Sequence, residues 1–342
     1  MTLLLAGDVG GTKTILSLYS ARADGGLENV AEERFVSADW SGPAAMVRRF
    51  LEDSDERPRA ACFAVAGPVQ DGRVRLTNLA WGDLDEEGLA QSCGIERVEI
   101  VNDFAVLVYG LPHLCGHQTA VVRPGTAAPD SPVLLLGAGT GLGVAIGVPG
   151  PAGWLALASE AGHTAFPPRS AREWELAEWL RADLGLERVS LERVVSGTGL
   201  GHVARWLLDL DPAGADHPLR PIARRWRGAE GEEDSAADLP AAVAAAAEDG
   251  DPLARSALDL WLGAYGAATG DLALTCLPRG GIWLAGGTAA KQLENLRSDR
   301  FLEPFLAKGR LRPVLEPMPV TAIVDPAIGS FSAACRARLL LD

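Results

Sequence analysis

Lysine is almost missing from this chain of 342 residues: it occurs only at Lys13, Lys291 and Lys308, although lysine and arginine together number 31. The arginine bias itself points to no function. Basic stretches are missing too, and 45 acidic side chains leave a formal net charge of −14. That balance repels a phosphate backbone and excludes nucleic acid as a partner, while leaving local anion binding to backbone donors open. Cysteine is sparse, with Cys62, Cys93, Cys115, Cys276 and Cys335 far apart and no Cys-x-x-Cys. Neither a zinc site nor a disulfide framework follows from such spacing, and the odd count fits a reducing cytoplasm. No apolar run reaches membrane-spanning length, and the first residues enter a strand without a positively charged leader. A cytoplasmic protein with no membrane partner is therefore expected. No short-period repeat is visible.

Glycine, by contrast, is plentiful at 39 residues, and it clusters. Gly7-Asp8-Val9-Gly10-Gly11-Thr12-Lys13-Thr14 follows the apolar run Leu3 to Ala6, and Gly137-Ala138-Gly139-Thr140-Gly141-Leu142-Gly143 follows Val133 to Leu136. Each reads as a buried strand that turns through glycines and continues in β-rich residues, Ile15 to Tyr19 and Val144 to Val148. Glycine lets backbone N–H groups approach a phosphate and adopt positive φ, and Thr12 and Thr140 add hydroxyls. The pair therefore suggests two facing phosphate loops. A third turn, Gly286-Gly287-Thr288, follows the strand Gly281 to Ala285 and opens a helix.

At 48% hydrophobic residues the chain can bury two domains. Strands at Ala60 to Ala66 and Val98 to Val101 alternate with helices at Ala44 to Glu52 and Leu84 to Ser92, the second stopped by Gly94, which indicates an α/β domain. Gln70-Asp71-Gly72-Arg73 predicts a hairpin between Val69 and Val74. The chain crosses over after Gly110-Leu111-Pro112. The second domain opens with the strand at Val133 and becomes mostly helical, with Ala171 to Leu184 placing Trp174, Ala177 and Leu180 or Leu184 on one face. The stretch from Asp211 to Leu239, rich in proline, glycine and acids, reads as a surface excursion. A long helix follows over Pro252 to Leu274, and the strand Val320 to Val324 precedes a closing helix over Ala327 to Leu341. The domains expected are thus 1–112, closed by 322–342, and 113–321.

Two common nucleotide motifs do not fit. In a Walker A loop glycine and lysine are adjacent, whereas Gly11-Thr12-Lys13-Thr14 interposes a threonine. A G-x-G-x-x-G fingerprint fails because Leu142 and Val144 fall where its third glycine belongs and a strand follows. Hairpin turns alone need one or two glycines, not four alternating ones.

Strand, Asp-x-Gly-Gly-Thr, strand resembles the first phosphate loop of the actin, hexokinase and heat-shock ATPase superfamily. More narrowly, the chain resembles the ATP-dependent bacterial glucokinase family. The matching stretches are Gly7 to Thr12, Leu76-Thr77-Asn78, Ile100 to Phe104, Gly137 to Gly143, Glu160-Ala161-Gly162-His163, Glu192 to Gly197 and Leu284 to Gly287, in family order from end to end. The resemblance implies two ribonuclease-H-like (actin/hexokinase-type) α/β domains flanking a cleft that closes over the sugar. It also implies phosphorylation of glucose at the 6-hydroxyl by ATP with Mg²⁺, in a homodimer. Asp103 falls on the catalytic base, and Asn102, Asp103, Glu160, His163 and Glu192 fall on sugar-hydroxyl ligands. Gly7, Asp8, Gly10, Gly11, Thr12, Lys13, Gly139, Thr140, Gly141, Gly286 and Gly287 fall on the nucleotide, with Asp8 also on the metal, since its carboxylate clashes with phosphate unless a cation intervenes. Asn78 either lines the sugar pocket or shapes its own turn.

The chemistry is coherent on its own terms. Carboxylates, an amide and an imidazole pair with hydroxyls that both donate and accept, and a primary alcohol needs a carboxylate to take its proton. Local structure offers rival tasks for several of these residues. Asp103 also suits a helix cap, Glu192 a solvated pair with Arg193, His163 a structural role, and Trp81 and Trp154 the core rather than a pocket wall.

Ala161 departs from the family's usual glycine, at a cost of roughly 1 kcal/mol if the loop needs positive φ there. No cysteine cluster follows His163, unlike the zinc-bearing ROK sugar kinases, so no zinc is expected. Other hexoses such as mannose or glucosamine remain open as substrates. A sugar-responsive DNA-binding regulator is disfavoured by the few residues ahead of Gly7, and a protein-partner ATPase leaves the polar set without a purpose.

Overall fold

The computed structural model describes residues 2–22, 26–52, 54, 56–76, 79–151, 153–226 and 238–341. By their contacts the residues form two compact units, one of Met1–Gln118, Ala145–Ala158 and Asp325–Asp342, the other of Thr119–Val144 and Ser159–Val324.

The first unit is built on β1 (Thr2–Val9), β2 (Lys13–Ala21), β3 (Leu27–Val36) and β4 (Ala60–Val65), the short pair β5 (Arg73–Arg75) and β6 (Asp83–Asp85), and β7 (Arg97–Asn102). Its main sheet has the order β3-β2-β1-β4-β7. β1 runs antiparallel to β2 and parallel to β4, and β4 is parallel to β7. The near-continuous apolar runs of β1 and β4 suit strands covered on both faces. One face packs a core that includes Leu5, Leu16, Phe63 and Ile100. The helix Ile328–Leu339 packs on β1, β4 and the short helix Leu107–Gly110, and Arg336 holds Glu99 of β7 with a bond of 2.9 Å.

In the second sheet the order is β11 (Gly153–Ser159), β10 (Leu142–Gly150), β9 (Val133–Ala138), β12 (Gly281–Ala285), β13 (Val320–Ile323) and β8 (Thr119–Arg123). β12 is parallel to both β9 and β13, while β8 runs antiparallel to β13. The 25-residue helix Pro252–Cys276 is capped by Asp251 and buries Trp261 and Tyr265.

Several sequence expectations are corrected. β3 escaped notice because its residues are mostly exposed and charged, the composition of an edge strand rather than an alternating one. β8 likewise precedes Val133, so that strand is not the first of its sheet. Leu84 belongs to β6, and the helix starts after Asp85, whose carboxylate accepts from Gly88 N at 2.7 Å. Trp174 does not share the buried face of the helix Ala171–Leu184; it is 58% exposed, and Leu176, Ala177 and Leu180 are buried instead. Between Asp211 and Trp226 the chain is helical in two short pieces, Pro212–Ala215 and Arg220–Arg225; residues 227–237 lie outside the described residues. The turn at Asp71 and Gly72 does form, with φ of 49° and 67°, and Gln70 and Arg73 exchange two bonds of 2.9 Å.

The five cysteines are free; Cys62, Cys93 and Cys335 are buried and Cys115 is exposed. Burial pushes the Cys93 and Cys276 thiols up to about 11 and Cys335 to about 12. No described helix is long and apolar enough to cross a membrane.

Candidate active site

In the first unit the register puts Val9, Val65 and Asn102 in one row across three parallel strands. Their carboxyl ends therefore share an edge, the place where open α/β sheets bind ligands. The turn Gly10–Thr12 leaves from that edge, closed by Gly10 N donating to Lys13 O at 3.0 Å. Ser37, buried, pins it from β3's end: its hydroxyl donates to Gly10 O at 2.8 Å, and its N–H donates to Thr12 O at 2.9 Å. Gly11, Thr12 and Lys13 are exposed. Gly7 sits inside β1, where a Cβ would come within 2.5 Å of the Phe63 ring. Packing against β4 thus already demands glycine there.

Asp8 is half-buried, and that burial raises its carboxyl above the ordinary value against the opposing pull of Lys13. Its Oδ2 lies close to Gly329, in the first turn of the helix Ile328–Leu339. A partly desolvated carboxylate at a strand end gains from a cation. Mg²⁺ takes one or two carboxylates and completes its shell with phosphate oxygens and water. Among the described residues no group of three or more His, Cys, Asp or Glu is arranged around a metal position, so Asp8 suits a metal that arrives with its phosphates.

Asn102 and Asp103 divide the work at the end of β7. Asn102 Oδ1 accepts from the N–H of Phe104 at 3.1 Å and of Ala105 at 2.9 Å. Its amide donates to Gly67 O at 3.2 Å and to Asp103 Oδ1 at 3.1 Å. All four hydrogen-bonding positions of that amide are thereby filled. The helix Leu107–Gly110 has no side-chain cap among the described residues; the side chain that holds the turn ahead of it is Asn102. Asp103 is anchored through its N–H to Val65 O at 2.8 Å, and its side chain is exposed. Asn78 lies outside the described residues. Trp81 donates to Trp40 O at 2.7 Å and packs against the core.

The second unit repeats the edge logic with different materials. Gly137 pairs with Ala285, so the turns after β9 and β12 leave side by side. Gly197 N donates to Gly139 O and the Thr198 hydroxyl to Thr140 O, each at 2.8 Å. The Thr288 hydroxyl donates to Ala138 O. Three turns, Gly139–Gly141, Ser196–Thr198 and Gly286–Thr288, are thus tied together through backbone carbonyls. Of the glycines in the three glycine-rich turns of the sequence, only Gly286 has positive φ, +86°. The others serve by leaving space, which corrects the expectation that they supply left-handed backbone. Trp261 steadies Ser196 by donating to its carbonyl at 2.8 Å, and Ser196 caps the helix Gly197–Leu210.

These turns line a cavity of about 470 Å³ together with Trp226, Asp238, Pro240 and Lys291. Sequence reasoning missed Thr198, Trp226, Asp238 and Thr288. Only Asp238 carried a local signal, as a helix cap ahead of Leu239-Pro240.

Glu160, His163 and Glu192 do come together. His163 Nε2 lies 3.6 Å from Glu160 Oε2, and its Nδ1 lies 3.4 Å from Glu192 Oε1. Glu192 is the most enclosed, at 22% side-chain exposure against 59% for Glu160. Its other oxygen lies 2.8 Å from where a Cβ on Gly141 would stand, so this trio abuts the second glycine loop. Glu192 therefore faces His163 rather than serving as a solvated surface charge. Ala161 has no positive φ, and its methyl carries no backbone penalty. Gly162 is the strict position: a Cβ there would overlap the Leu142 carbonyl oxygen. Two carboxylates flanking an imidazole, with acceptors and a donor between them, are suited to a polyhydroxylated ligand.

The family profile described as Glucokinase matches residues 5–339. A glucokinase of Nostoc punctiforme is 41% identical over 342 residues, covering 99% of this chain and 100% of its own. Among solved structures, a glucokinase from an Antarctic psychrotroph superposes with a TM-score of 0.80 at 28% identity, covering 99% of both chains. A glucokinase of Balamuthia mandrillaris in complex with glucose has a TM-score of 0.74 at 22% identity, covering 98% of this chain and 94% of its own, a likeness of fold.

Proposed function

Since this chain belongs to the glucokinase family, we propose that it is an enzyme that transfers the γ-phosphoryl group of ATP to the 6-hydroxyl of glucose. The observation that carries this reading is the division of labour at the end of β7. Asn102 fills its amide with the turn, and the turn presents an exposed Asp103 carboxylate beside the strand ends of Asp8 and Val65. In this reading Asp103 accepts the proton of the 6-hydroxyl, which makes the oxygen a competent nucleophile. Glu160, His163 and Glu192 hold sugar hydroxyls, with Asn102 and Asn78 as the further ligands that the family resemblance implies. The solved relative with glucose bound supports the sugar class.

The turns at Gly10–Lys13, Gly139–Gly141 and Gly286–Gly287 take the nucleotide through backbone N–H groups. Asp8 holds Mg²⁺, which when bound neutralises charge on the transferring phosphoryl group. A cytoplasmic homodimer completes the proposal, and its mass is checked by sedimentation.

The test is ADP release by the full chain with ATP and Mg²⁺ across glucose, mannose, glucosamine and other hexoses, repeated with alternative phosphoryl donors. A clear maximum for glucose is expected. Rates that do not change with sugar refute the reading.

A further inference from the structure

The cavity of the second unit is polarised, and the polarity bears on how a nucleotide lies in it. Among its described lining residues, Lys291 is the cation and Asp238 the anion. They stand on different elements. Lys291 ends the short helix Gly287–Lys291, one turn beyond Gly287 and Thr288. Lys291 lines the same cavity as Gly287 and Thr288, and Thr288 ties this helix to the glycine loop through Ala138. Asp238 belongs to another helix: its carboxylate caps Leu239–Glu248 by accepting from Ala241 N at 3.0 Å. That helix packs on Gly197–Leu210 and Pro252–Cys276, and its Pro240, Ala241 and Ala244 give the cavity an apolar side.

Lys291 is exposed and forms no ion pair among the described residues. Lys308 differs sharply, since its ammonium donates to Asp271 at 2.6 Å and to Ala267 O at 3.0 Å. In a chain of net charge −14 that has only three positions for lysine, an ammonium lining one cavity with Gly139, Thr140 and Gly287 is matched to an anion. Resting on the proposed kinase function, we infer that Lys291 is a nucleotide-binding residue: its ammonium pairs with the diphosphate of the bound nucleotide at the Gly139–Thr140 side. The base then lies toward Pro240, Ala241 and Ala244, with its amino group or the ribose hydroxyls near Asp238. Lysine suits this task as a mobile point charge on a long stem, in contrast to the fixed fork of arginine.

The experiment is calorimetric titration of ADP and, separately, adenosine into the full chain and into Lys291→Met and Lys291→Arg, at low and moderate salt. Lys291→Met keeps the stem and removes the charge. ADP is expected to bind roughly tenfold more weakly to it, close to one charge-assisted contact. Adenosine affinity stays within about twofold, and Lys291→Arg recovers most of the ADP affinity. The salt dependence of ADP binding also falls in the methionine variant. Equal ADP affinity in wild type and Lys291→Met overturns the inference, as does an equal loss for adenosine, which assigns Lys291 to the base. Glucose-dependent turnover of the wild type, measured in parallel, judges the kinase reading separately. Turnover without a Lys291 effect removes only Lys291, and ADP binding without turnover removes only the kinase.

Discussion

The two glycine loops begin alike and are finished differently. After β1 the loop is accompanied by charged side chains: Asp8 at its base, Lys13 at its end, and Asp103 from the end of β7, on the far side of β4 along the same sheet edge. After β9 the loop carries no charged residue of its own; it is tied down by neutral groups, and Glu192 reaches it from outside, beside Gly141. Gly197, Thr198 and Thr288 all bond to its carbonyls, and Gly139 N donates within the loop to Gly141 O at 2.9 Å. The difference teaches that one fold edge can be used in two ways. In the proposed reading the first unit supplies reactive groups on a pinned turn, and the second supplies a hydrogen-bonded surface on which affinity is built. Substitutions in the first unit should therefore act on kcat and those in the second on KM.

The sharpest way to break that comparison is Asp103→Ala. Loss of a general base lowers kcat by about three orders of magnitude, with glucose and nucleotide binding retained by calorimetry. Near wild-type turnover removes the catalytic role of the first unit.

Next in size is Gly141→Ala. The added methyl meets Glu192 Oε2 at 2.8 Å, so the carboxylate must shift, and its Oε1 contact with His163 at 3.4 Å shifts with it. KM for glucose is expected to rise roughly tenfold or more through loss of a charged contact, although the substitution lies in the nucleotide loop. An effect confined to ATP would show that the trio and the loop are independent.

His163→Gln keeps a donor and an acceptor but relaxes both carboxylates. Its expected signature is a rise of several-fold in KM for glucose with kcat within about threefold. A dominant fall in kcat would place chemistry in the second unit and collapse the distinction.

The smallest effect concerns stability. Burial raises the Asp8 carboxyl above 3.8 in the folded chain. The folded state therefore holds this proton more tightly than the unfolded one. The associated stability is present below pH 3.8 and is lost as pH rises through the folded value. At neutral pH the charged Asp8 is a cost that asparagine removes. Asp8→Asn should melt roughly 1–2 °C higher than wild type at pH 7 without nucleotide, with the gap closing toward pH 4. A variant that melts lower at pH 7 contradicts the reading of Asp8 as a strained carboxylate awaiting a cation.

Much of this was legible in the chain because strand ends and glycine turns are local signals. The strand Gly281–Ala285 and the helix Ala171–Leu184 were both readable from apolar runs and caps. So was the turn at Asp71-Gly72. β3 was not, because an exposed edge strand needs no apolar pattern. Trp174 was misplaced because helical spacing defines a face without saying which neighbour covers it. Within the site, residue types announced Glu160, His163 and Glu192 only through family resemblance. Their gathering around one imidazole depends on the bridge between Ala165 and Ser190 and on Leu191 N donating to Thr164 O at 2.7 Å, non-local facts. Thr198, Thr288 and Trp226 were invisible for the same reason, since a threonine that holds a distant carbonyl looks like any other threonine. The swap of duties between Asn102 and Asp103 turned on which of two adjacent side chains folded back on its own backbone, and spacing does not distinguish them.

The burial of the thiols has a practical consequence. Thiolate is the reactive form, and groups held near 11 or 12 offer almost none of it at neutral pH. Cys115 alone is exposed. A maleimide dye added to the native chain should therefore attach at one position without any prior removal of cysteine, giving the molecule a ready-made optical handle.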